Sequence, residues 1–65
     1  MKNFEVSFAG KSGLYRGIAR LDAIVSFCND IGYESIPHAA AVYNLTIVDF
    51  LRSCKVVQKY NRKPK

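Results

Sequence analysis

The chain has 65 residues, 10 lysines and arginines against 5 aspartates and glutamates, and a formal net charge of +5. That length excludes a multidomain enzyme, a repeat array and a transporter, and a hydrophobic content of 49% is too high for a disordered basic peptide. A basic chain this small favours a polyanionic partner, nucleic acid or an acidic protein surface, and its size is in keeping with dimerisation.

Phe4-Glu5-Val6-Ser7-Phe8 alternates apolar and polar residues, the period of a half-buried strand. Gly10-Lys11-Ser12-Gly13 follows as a turn cluster, and residues 14–20 return as a second strand to give a hairpin. The rival reading begins a helix at Ser12, because Leu14, Ile18, Leu21 and Val25 are also helically spaced; Gly17 in mid-segment weighs against it by about 1 kcal/mol. Gly10-Lys11-Ser12 lacks the earlier glycine of a phosphate-binding loop, with Glu5 in its place, and belongs to the turn.

From Leu21 a helix is expected, with Leu21, Ile24, Val25, Cys28 and Ile31 on one face, Asp22 in the first turn and Gly32 just past the end. Ser35 is placed to cap a short helix that tolerates Pro37 in its first turn, runs through Ala39-Ala40-Ala41 and stops at Asn44. Thr46-Ile47-Val48-Asp49 has the pattern of a helix start, and the spacing of Ile47, Phe50, Leu51, Cys54 and Val57 predicts a third helix continuing to Val57. The expected architecture is a small α+β domain over residues 1–60, an N-terminal β-hairpin followed by two or three helices, with residues 61–65 as a basic tail.

Two cysteines and one histidine cannot close a structural zinc site, so no metal and no cofactor is expected. Cys28 and Cys54 fall on apolar helical faces, where a cysteine acts as a small hydrophobe rather than as a disulfide partner. His38 has no fixed carboxylate or nucleophile beside it and the five acidic residues are scattered, so no enzyme is expected. The absence of a signal-like start or a long apolar run makes a cytoplasmic protein with no membrane contact the expectation.

The segment from Pro37 to Arg52 resembles the helix-turn-helix of bacterial and phage DNA-binding regulators. Ala40 stands at the small position where two helices touch, Asn44 at the turn, and Leu45 and Phe50 at buried apolar positions. Ser53 departs from that pattern, which has an apolar residue there. The resemblance implies a transcriptional regulator that binds double-stranded DNA, with Thr46, Val48 and Asp49 nearest the groove. A second resemblance, over Ile18 to Asp22 and the flanking helices, is to ribbon-helix-helix repressors; it would make Arg16 and Arg20 groove readers in a homodimer.

After Asp49 the chain has no acidic residue, and Arg52, Lys55, Lys59, Arg62 and Lys63 are the candidate phosphate contacts, read as a basic extension of the last helix. Tyr60, between Lys59 and Arg62, could stack on a base. The competing function is a small protein-binding modulator of a host enzyme, with Tyr15, Tyr33, Tyr43 and Val48 as exposed anchors on a protein partner.

Overall fold

The structure, a computed structural model, describes residues 2–59. Its elements run β1 (Lys2–Phe8), β2 (Lys11–Gly17), α1 (Arg20–Asp30), α2 (Ile36–Val42), α3 (Ile47–Ser53) and β3 (Lys55–Lys59). The three strands form one antiparallel sheet in the order β2-β1-β3, and the helices cover one of its faces. The expected α+β domain, hairpin first and helices after, is the fold observed.

The hairpin turn is tighter than the sequence suggests. Phe8 pairs directly with Lys11, leaving only Ala9 and Gly10 as the loop. Both have positive φ, 53° and 79°, the requirement of a type I′ turn whose twist suits a hairpin. Lys11, Ser12 and Gly13, expected in the turn, therefore begin β2.

Each helix end follows from local chemistry. The Asp22 carboxylate accepts from the backbone N–H of Ile18 and Ala19 at 3.0 and 3.3 Å, supplying the cap that the Ala19 side chain cannot. Ser35 Oγ accepts from the N–H of His38 at 3.2 Å, and Thr46 Oγ1 from the N–H of Asp49 at 3.0 Å. At the far ends, α1 and α2 terminate in the same motif. The Tyr33 N–H reaches the Cys28 carbonyl and the Gly32 N–H that of Asn29; Leu45 and Asn44 repeat this on Ala40 and Ala41. Gly32 and Asn44 are the left-handed residues that this geometry needs, at φ 101° and 59°.

The core lies between the sheet and the helices, from Phe4 and Val6 of β1 to Ala23, Ile24, Phe27 and Cys28 of α1, Ile36, Ala39 and Ala40 of α2, Phe50 of α3, and Cys54. Phe8 extends it, with its ring edge-on to Tyr43 at 4.7 Å and to Phe50 at 4.9 Å. Cys28 and Cys54 are free thiols within it, and burial pushes the Cys54 thiol up to about 11.

Three expectations are corrected. The last helix stops at Ser53, and Lys55–Lys59 is a strand paired along β1 from Ser7↔Lys55 to Asn3↔Lys59. The sequence Lys-Val-Val-Gln-Lys alternates in period two: Val56 packs beside Val6, Val57 points away, and the open edge of β1 gains its hydrogen-bonding neighbour. Second, the buried face of α1 is Ala23, Ile24, Phe27 and Cys28, while Leu21 and Val25 are exposed. Phe27, the largest apolar side chain on α1, takes the core and turns Leu21 outward. Third, Tyr15, Tyr33 and Tyr43 are half-buried against the core and do not form exposed anchors.

Candidate nucleic-acid interface

The alternation that buries one side of the sheet leaves the other bare. Phe4, Val6, Tyr15 and Val56 point to the helices, so Asn3, Glu5, Ser7, Ser12, Leu14, Arg16, Lys55, Val57 and Lys59 share the open face. Register sets them in three rows across the strands: Ser12–Ser7–Lys55, Leu14–Glu5–Val57 and Arg16–Asn3–Lys59.

Arg16 and Lys59 stand at opposite ends of one row, about 10 Å apart across two strand spacings, and Lys55 lies about 13 Å along β3 from Lys59. Lys59 Nζ is 3.3 Å from Glu5 Oε1, and both side chains remain about half exposed, at 52% and 42%. Ser7, Ser12 and Asn3 add hydroxyl and amide groups between the cations. The row through the middle is apolar at its ends, with Leu14 68% exposed.

The excess positive charge of the described residues falls on this face. Among the described residues the open face holds Arg16, Lys55 and Lys59 against Glu5 alone. Elsewhere Lys2, Lys11, Arg20 and Arg52 are matched in number by Asp22, Asp30, Glu34 and Asp49. The remaining positive charge, Arg62, Lys63 and Lys65, follows β3 in sequence.

The residues singled out in sequence divide between two surfaces. Thr46 is the N-cap of α3, with Val48 and Asp49 exposed in its first turn. Arg52 sits on α3 beside Leu51 and faces the start of α1 across a surface groove. Lys55 and Lys59, expected to continue that helix, lie on the far side of the sheet. Arg62, Lys63 and Tyr60, with the tail at 61–65, lie outside the described residues. Arg16 belongs to the open face, although its sequence neighbours suggested a dimeric ribbon; Asn3, Ser7 and Ser12 were missed, and the strict alternation of β1 was the signal that could have found Asn3 and Ser7.

On the covered side, one group ties α1 to the sheet and another braces a helix start. The Tyr15 hydroxyl donates to Asp30 Oδ2 at 2.7 Å and its ring packs against Phe27. Burial first, then that hydrogen bond and the Asp30 charge, push the phenol up to about 12. His38 Nδ1 accepts from the Glu34 N–H at 3.0 Å, so the imidazole braces the start of α2. Among the described residues no three His, Cys, Asp or Glu side chains converge, and no helix is long and apolar enough to cross a membrane.

These features define a class: a small three-stranded α+β protein with an uncovered, cationic sheet face. Comparison of the chain with protein-family models, with characterised proteins and with solved structures returns no match.

Proposed function

We propose that the protein binds double-stranded DNA through the open face of its sheet, with the basic residues after β3 adding phosphate contacts. The observation that carries this reading is the charge partition. The helical side has as many carboxylates as cations, whereas the open face and the segment that follows it hold the excess. Cations spread over a flat sheet can neutralise phosphates on both sides of a groove, and β-sheets are among the elements that enter DNA grooves. Asn3, Ser7 and Ser12 supply groups able to meet phosphate oxygens or base edges between those contacts.

The same face argues for a duplex over a single strand. Single-stranded nucleic acid is held by bases stacked on aromatic rings, and the open face offers Leu14 and Val57 instead, its aromatic neighbours being turned to the core. In this reading α3 contributes packing and Arg52 lies off the contact surface.

Binding of a generic 20-base-pair duplex, followed by anisotropy at two salt concentrations, tests the reading. The wild-type affinity falls steeply with salt, and reversing Arg16, Lys55 and Lys59 to glutamate together lowers low-salt affinity by about a hundred-fold or more. All three side chains are exposed and, among the described residues, the only pair broken is the half-exposed one between Lys59 and Glu5, so that variant stays folded with a stability loss of about 1 kcal/mol. Affinity that is insensitive to salt, or to the triple reversal, contradicts the proposal.

A further inference from the structure

On the helical side, the first turns of α1 and the outer face of α3 leave a groove of about 350 Å³ between them. Leu21, Ile24, Val48 and Leu51 line it, and among the described residues Arg20 and Arg52 are the charged groups of the lining. Ile24 is buried and forms part of the core, whereas Leu21 and Val48 are 53% and 58% exposed. An apolar floor with exposed apolar walls is a surface left without a partner. Among the described residues neither guanidinium has an ion-pair partner: the Asp22 carboxylate is engaged by the amides of Ile18 and Ala19, and Asp49, in the first turn of α3, makes no ion pair with Arg52.

We propose that this groove docks an acidic amphipathic helix from another protein. Two helices splayed over a sheet present the geometry into which a third helix packs, with anchors at i, i+3, i+4 and i+7. Apolar anchors cover Leu21, Ile24, Val48 and Leu51, and carboxylates flanking that stripe meet Arg20 and Arg52. Charge selects the occupant. A basic helix would bring like charges against both arginines, and a phosphate backbone would leave the apolar floor unfilled. A second copy of this chain fits poorly, because its groove carries the same two arginines and its excess charge is positive. This site is independent of the sheet face and does not rest on the DNA reading.

The test uses the full chain and three fluorescein-labelled 16-residue peptides: leucine at i, i+3, i+4 and i+7 on a glutamate-rich helix, the same pattern with lysine for glutamate, and a scrambled acidic peptide of identical composition. The patterned acidic peptide binds about ten-fold or more tightly than either control. Reversing Arg20 and Arg52 together to glutamate inverts the preference toward the lysine peptide. Val48→Asp abolishes the binding while the melting temperature holds, since Val48 is exposed. The triple glutamate reversal on the sheet face changes peptide affinity by no more than about two-fold, which separates this site from the DNA surface. Equal binding of patterned and scrambled acidic peptides, or loss of binding on reversing the sheet cations, overturns the proposal. Self-association abolished by Val48→Asp, or capture of anionic phospholipid vesicles abolished by reversing Arg20 and Arg52, without a preference for the patterned peptide, also overturns it by assigning the groove to a different occupant.

Discussion

The two faces of the sheet are built from the same three strands, yet one is packed and apolar while the other is bare and carries the cations. On β1, Phe4 and Val6 are buried while their neighbours Asn3, Glu5 and Ser7 lie on the opposite side; on β3, Val56 packs on the core and Lys55, Val57 and Lys59 do not. One face is therefore committed to stability and the other is free to carry function.

The largest consequence is an asymmetry in what truncation costs. Phe50→Ala, at a fully buried ring that also meets Phe8, destabilises by about 3–5 kcal/mol, enough to unfold much of a domain this size. Leu14→Ala, at an open-face position that is 68% exposed, changes stability by no more than about 0.5 kcal/mol. Urea melts of the two variants decide the matter; similar costs would mean that something covers the open face.

A smaller effect sharpens the picture of the covered face. The Tyr15 phenol is raised from its usual 10.0 to about 12 in the folded protein, so the stability it contributes is fully present below pH 10 and is lost as the pH rises through about 12. Tyr15→Phe removes that step from the alkaline stability profile and costs about 1 kcal/mol at neutral pH through the lost bond to Asp30. A profile in which the variant and the wild type fall together between pH 10 and 12 would contradict the assignment.

The smallest effect lies at the joint between the hairpin strands. Ala9 holds φ at 53° in a turn that prefers asparagine followed by glycine. Ala9→Asn is expected to stabilise the fold by about 0.5–1 kcal/mol, read as a raised urea midpoint with an unchanged slope. No gain would show that the turn is not under strain.

What could be read from the sequence was what short stretches decide by themselves. Gly32, Ser35, Asn44 and Thr46 mark helix ends through hydrogen bonds that span only a few residues, and all four serve as expected. β3 was hidden because its identity is settled elsewhere in the chain. Cys54 and Val57 fit the helical stripe begun by Ile47, and only β1's need for a second neighbour turns the segment into a strand. The cations of the candidate interface were therefore visible as residues while the surface they share was not, since Arg16 and Lys59 meet only through the register of three strands. The groove was concealed by the opposite error. Leu21 looks like part of a core stripe, and its exposure depends on Phe27 having taken the core.

The central claim, that the bare face of the sheet meets DNA, is tested most directly by following the backbone amide signals of the protein in solution as a short duplex is added. With DNA on that face, the largest shifts fall on Asn3, Glu5, Ser7, Leu14, Arg16, Lys55, Val57 and Lys59, and α1 and α3 move little. Shifts concentrated on Thr46, Val48, Asp49 and Arg52, with the strands unmoved, would contradict it and place the contact on the helical side.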